Sequence, residues 1–224
     1  VVLVSDYRDE IVSLRVQNLD APDSDGALNA ENYPLSPGVN KLCMKDKGLV
    51  YVMYHSDKPA SAPPVTLHFV TGTVNGYYDS QDPAHRGRAQ ELLDHATDDY
   101  FDVLGRYAHL TYPVQRFKQH TRDLDSLIAI YDRIVYNELE LLGLVKYGRM
   151  PENRMYLNVM YHSYMYAMPY RMGFHDRTLA DLCNEDILTA SACWGPAHEM
   201  GHGNQTSPGM KWLGTTEVTN NIMS

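Results

Sequence analysis

The sequence predicts an α+β protein, with a β-sandwich in its N-terminal part and helices carrying a metal site in its C-terminal part. Three observations predict it. Residues 1–83 hold short runs of β-formers separated by turn signals. Apolar residues at helical spacing begin only after Pro83. Near the end stands His198-Glu199-Met200-Gly201-His202, an H-E-x-x-H motif. The expected domains are therefore 1–83 and 84–224.

The β part opens with VVLV (1–4) and EIVSLRVQ (10–17). In the second run Ile11, Ser13 and Arg15 fall on one face, and Val12, Leu14 and Val16 on the other. LVYVMYH (49–55) and VTLHFV (65–70) repeat the type. Between them SDKPASAPP (56–64) is a loop, because its prolines cannot donate to a ladder. Asn75-Gly76 reads as a turn. Several short strands with turns between them suggest a sandwich.

In the second part, RAQELLDHATDDYFDVLGRY (88–107) carries Leu92, Leu93, Ala96, Tyr100, Phe101 and Leu104 at helical spacing. YPVQRF (112–117) is a strand candidate. A long helix is expected over 124–144, with Leu127, Ile130, Tyr131, Ile134, Val135 and Leu142 as its stripe. Gly143 and Gly148 punctuate its end. The Tyr- and Met-rich stretch 154–172 reads as strand. Alternation puts Tyr164 and Tyr166 on one face and Met165 and Ala167 on the other. This stretch is expected at a sheet edge beside the metal site, with a tyrosine open to substrate.

A chain of 224 residues holds one large domain or two small ones. Its net charge of -9 argues against nucleic acid, which needs a concentrated positive field, and against anionic membrane surfaces. No apolar run is long enough to span a bilayer. The opening residues show no secretory signal. The chain reads as a piece of something larger, cut inside a helix after Glu217. Cys43, Cys183 and Cys193 are too few for a disulfide framework; one disulfide with one free thiol, or three thiols, both fit.

The chemistry lies in SACWGPAHEMGHGNQTSPGMKWLGTTEVTNNIMS (191–224). On a helix, residues four apart share a face, so His198 and His202 reach one ion. Glu199 lies one step round, where a general base for an activated water must sit. Pro196 suits the first turn, and Gly203 is expected to end the helix in the left-handed conformation. Glu217, fifteen residues beyond His202, is the expected third ligand, in the first turn of a helix capped by Thr215 or Thr216. Asn221 shares its face and is placed to hydrogen-bond a ligand imidazole. The expected cofactor is one Zn2+ per chain. The other eight histidines show no ligand spacing with one another, and Cys193 is expected to pack in the core.

The segments WGPAHEMGHGNQ and WLGTTEVTNNI resemble the M60 peptidases, the enhancin-like and mucin-degrading gluzincins. That family's H-E-x-G-H, then a glutamate in a T-E-V-T context, is matched by His198, Glu199, Gly201, His202 and Glu217. HFVTGTVNGYYD (68–79) and YMYAMPYRMGFH (164–175) are similar too. The resemblance implies a β-sandwich followed by a thermolysin-like catalytic domain. It also implies a secreted or cell-surface zinc endopeptidase acting on O-glycosylated, mucin-type glycoproteins. One departure stands out: gluzincins carry Asp four residues after the glutamate ligand, and this chain has Asn221. Two rivals remain: a catalytically silent glycan- or mucin-binding protein on the same fold, disfavoured by the intact Glu199, and a zinc-stabilised structural domain, disfavoured by the cysteine-poor, open ligand set.

Overall fold

A computed structural model describes residues 1–8, 10–20, 25–168 and 170–224. The chain divides into two compact units, Val1–Val74 and Asn75–Ser224. The first unit contains β1 (Val2–Val4), β2 (Ile11–Gln17), β3 (Glu31–Pro34), β4 (Gly38–Asn40), β5 (Leu49–His55) and β6 (Leu67–Phe69). Among the described residues these form two antiparallel sheets, ordered β4-β1-β6 and β3-β2-β5. Val2 and Val4 of one sheet and Val12 and Leu14 of the other are buried in one cluster with Tyr7 and Leu35. Burial along β2 alternates as its pattern requires: Val12, Leu14 and Val16 are buried, while Ile11 is exposed. β3 and β4 were not legible in the sequence. ENYP and GVN are too short to show a period, and each pairs on one side only. The loop at 56–64 holds a single 3₁₀ turn, Pro59–Ser61.

The second unit continues with β7 (Tyr78–Asp79), α1 (Ala89–Asp94), β8 (Tyr100–Leu104), β9 (Ala108–Pro113), α2 (Val114–His120) and α3 (Leu124–Leu141). Then come β10 (Met155–Met160), β11 (Met165–Met168), β12 (Arg171–His175), α4 (Leu179–Leu182), α5 (Glu185–Ile187), α6 (Trp194–Asn204) and α7 (Thr216–Thr219). Its strands form a mixed sheet ordered β11-β12-β10-β9-β8-β7. The β9–β10 and β10–β12 pairs are parallel, and β11 runs antiparallel to β12 at one edge. Helix α3 packs on β8 and β9, and α6 packs on β11, β12 and α3.

The structure corrects three readings of this part. The single helix over 88–107 is α1 followed by a strand. The Asn75 side-chain carbonyl accepts from the Thr97 and Asp98 N–H groups, turning the chain out of the helix. Tyr100, Phe101, Asp102 and Val103 are then all buried in β8. A strand buried on both faces carries a continuous apolar run, which periodicity cannot tell from a helix. The strand at 112–117 in fact ends at Pro113, which has no N–H for the ladder, and Val114 starts α2. The stretch 154–172 is not one strand but β10, the edge strand β11 and the start of β12; its Pro169 lies outside the described residues.

Helix α3 follows its pattern more closely. The Asp123 carboxylate accepts from the Asp125 and Ser126 N–H groups, and Gly143, at φ 78°, closes the end. Leu127, Tyr131 and Val135 are buried, with Ile128 and Leu139 beside them. At the sheet edge, fully buried Arg171 of β12 donates to Asn158 Oδ1 at 3.0 Å and to the Tyr166 hydroxyl at 2.8 Å. That pair of bonds ties β11 to β10 across β12.

Candidate metal centre

The helix that presents the motif begins well upstream. The Asn184 side chain accepts from the Asp186 and Ile187 N–H groups at the start of α5, and a π-helical turn, Leu188–Ala192, leads into α6. Pro196 lies in α6 just past the π-helical turn. The expected stop at Gly203 is not there. Helix α6 runs through it to Asn204. A Cβ at Gly203 would lie 2.8 Å from Met172 Cε, the end of a flexible side chain that can give way. Gly201 is more demanding still: a Cβ there would lie 2.6 Å from the Asn220 carbonyl oxygen. The glycine of H-E-x-G-H thus admits the backbone that follows α7.

Thr215 occupies the N-cap position of α7, but its hydroxyl donates to Trp212 O rather than capping the helix. Glu217 falls in the first turn of α7, with its side chain largely exposed. Its Oε2 lies 3.1 Å from His202 Nε2 and 3.3 Å from His198 Nε2. The two imidazoles stand nearly perpendicular, at 87°, with centroids 4.9 Å apart. One ligand atom from each of His198, His202 and Glu217 falls within 4.8 Å of the others. Among the described residues, no other group of His, Cys, Asp and Glu converges in this way.

The far side of each ring is also held. His198 Nδ1 lies 2.8 Å from Asn221 Oδ1, and His202 Nδ1 lies 3.2 Å from Gln205 Oε1. Each Nδ1–H donates to an amide oxygen, which leaves both Nε2 lone pairs facing Glu217. Two bare imidazole nitrogens and one carboxylate, with no cysteine, make a donor set that fits zinc with a position left open. Sequence reasoning missed Gln205. Its Nε2 also donates to Thr216 O at 2.7 Å and Thr219 Oγ1 at 2.8 Å, tying the end of α6 to α7. Its position three residues after His202 was the available signal. Cys193, expected in the core, is half-buried at the head of α6, and the three cysteines are free thiols.

Glu199 is buried, and burial raises its carboxyl above the usual carboxylate range, with the His198 and His202 charges pulling against that. It lines a cavity of about 490 Å³ together with His202, Glu217, Lys211 and the edge strand from Met165 to Met168. Tyr166 is among the lining residues, but its hydroxyl is engaged by Arg171. Tyr164 is not part of this lining and is 68% exposed. Below the helix, the Asn204 amide donates at 2.7 Å to Glu138, whose carboxyl burial pushes up to about 8.

The chain is similar to several known proteins. Two solved structures each align with 99% of this chain at 30% identity. One is a metallopeptidase in complex with Tn antigen, with a TM-score of 0.84 and 42% of its chain covered. The other is a metallopeptidase from Bacteroides thetaiotaomicron, with a TM-score of 0.82 and 39% of its chain covered. A TRPM8 channel-associated factor homolog from Xenopus laevis is 28% identical over 102 residues, which is 46% of this chain and 11% of that protein. The chain therefore spans less than half the length of these relatives. The family described as Peptidase M60, enhancin and enhancin-like matches residues 90–224, more than half of the chain, and the chain belongs to that family.

Proposed function

We propose that this chain carries the zinc site of an endopeptidase that hydrolyses peptide bonds in O-glycosylated, mucin-type glycoproteins. The observation that carries the reading is the convergence of His198, His202 and Glu217 beside buried Glu199, in a cavity bounded by an edge strand. His198, His202 and Glu217 would hold the metal, which when bound supplies the Lewis acidity that activates water and the scissile carbonyl.

Glu199 accepts the proton of the attacking water and returns it to the leaving amine. Its carboxyl is buried beside the imidazoles and lines the cavity, where it can take that proton and pass it on. Asn221 and Gln205 hold the imidazoles in one tautomer and orientation. β11 pairs with β12 and forms the edge of the sheet, so an extended peptide can join it through backbone hydrogen bonds, with Tyr166 and Tyr164 nearby as substrate contacts.

The glycoprotein substrate is supported by family membership and by the related metallopeptidase solved with Tn antigen. We assign the first part of the chain as a β-sandwich and the second as the N-terminal part of a thermolysin-like catalytic domain, in a secreted or cell-surface enzyme. No helix among the described residues is long and apolar enough to cross a membrane. The test is metal analysis of the purified protein together with digestion of glycosylated and deglycosylated mucin. One zinc per chain with cleavage of the glycosylated form is expected. Stoichiometric zinc without cleavage of either form would favour a glycan-binding protein instead.

A further inference from the structure

Asn220 is the first residue of the 3₁₀ turn after α7 and is fully buried against α6. Its side-chain amide nitrogen lies 3.1 Å from the His198 carbonyl oxygen, 3.1 Å from both ring nitrogens of His198, and 3.1 Å from His202 Nε2. These cannot all be in-plane hydrogen bonds. A point in the plane of an imidazole at that distance from both its nitrogens would collide with the ring's own carbons. The amide nitrogen therefore stands over the face of the His198 ring, leaving the in-plane Nε2 lone pair free. Its directed bond goes to the His198 carbonyl, which accepts it.

Two further facts bear on this position. The Asn220 Oδ1 is buried and has no hydrogen-bond partner among the described residues. An orphaned buried acceptor is destabilising, and an apolar side chain would remove it. The fold also keeps a glycine at position 201 so that the Asn220 backbone can come this close. The orphaned acceptor makes the side chain costly, while its amide nitrogen lies against both ligand histidines.

We propose that Asn220 is a positioning residue for the metal site. Its amide, anchored on the His198 carbonyl, backs the His198 ring and lies 3.1 Å from His202 Nε2, which holds the two rings in place beside Glu217. This rests on the zinc reading of His198, His202 and Glu217.

The experiment measures zinc affinity by competition with a chelating dye, on the full chain, for the parent, Glu217→Ala, Asn220→Leu and Asn220→Ala. Thermal unfolding in excess chelator runs alongside. Leucine keeps the volume without the amide, and alanine removes the group without adding bulk. Parent binding that Glu217→Ala weakens establishes the metal reading; equal binding by the two would sink that reading and leave Asn220 aside. With the metal reading in place, both Asn220 variants are expected to bind zinc about tenfold or more weakly, as for lost orienting partners. In chelator they should unfold at or above the parent temperature, because the orphan acceptor is gone. Zinc affinity within twofold of the parent in either folded variant overturns the proposal. So does a loss of affinity matched by an equal loss of chelator-state stability, because that is the mark of a merely structural residue.

Discussion

Replacing Gly201 by alanine sets two effects of opposite sign against each other. In the middle of a helix, alanine is favoured over glycine by about 1 kcal/mol. At this position, however, the new Cβ would lie 2.6 Å from the Asn220 carbonyl oxygen, whereas a comfortable carbon–oxygen contact is about 3.3 Å. One of the two segments must retreat by roughly 0.7 Å, the difference between those distances. The carbonyl cannot simply swing aside, because it is backbone and accepts from the Met223 N–H at 3.1 Å. Overpacking of this kind costs about 1–3 kcal/mol. The clash therefore cancels or outweighs the propensity gain, with a net loss of about 0–2 kcal/mol. For a unit of this size that is a fall in melting temperature of up to about 8 °C. The retreat also carries Glu217 and Asn221 away from the imidazoles, so zinc affinity should fall by about tenfold or more. Thermal unfolding in chelator and a zinc competition titration read the two effects separately. A Gly201→Ala protein that melts at or above the parent temperature and binds zinc equally well would refute the steric reasoning.

Other substitutions test neighbouring groups. Glu199→Gln should retain zinc and fold while lowering peptide turnover by about 10² or more, and a metal-loaded variant of full activity would move the proton transfer to another residue. Asn221→Ala removes the acceptor of the His198 Nδ1–H and should weaken zinc binding by about 10–100-fold, read by the same titration; unchanged affinity would leave Asn221 without an orienting role. Glu138→Gln tests the buried carboxyl beneath α6. Its folded pKa of about 8 lies above the unfolded value near 4.5, so the folded state holds a proton that the unfolded state has released between those values. The parent should therefore lose stability as pH rises across that window, and the variant should not. Urea midpoints at about pH 5 and pH 8 compare them, and equal slopes would show that Glu138 ionises freely in the fold.

How much was legible differs from element to element, for physical reasons. β2 and α3 carry clean periods of two and 3.6 because each has one buried and one solvated face. β8 has no solvated face, so its run Tyr100–Val103 gave a helix's pattern as readily as a strand's. The divided stretch 154–172 hid its turns because Tyr and Met continue through β10, the turn and β11 alike. The buried polar groups Glu138, Arg171 and Asn220 carried no signal, since composition marks them for the surface.

Within the metal site, local sequence determined whatever depends on helical spacing. His198 and His202 are four apart and Glu199 is one step round, relations that hold on any helix, whereas α7 ends at Thr219 and Asn221 lies in the 3₁₀ turn that follows. Tertiary structure decided how the two helices meet. Glu217 reaches the imidazoles because Gln205 ties the end of α6 to α7 and because Gly201 leaves room for the Asn220 backbone. The cavity needs β11 brought to the sheet edge beside α6 from a segment some thirty residues earlier. Spacing along one helix is set by the backbone's own repeat. The approach of separate segments is set by which side chains fit between them, and that is determined only once the segments have packed.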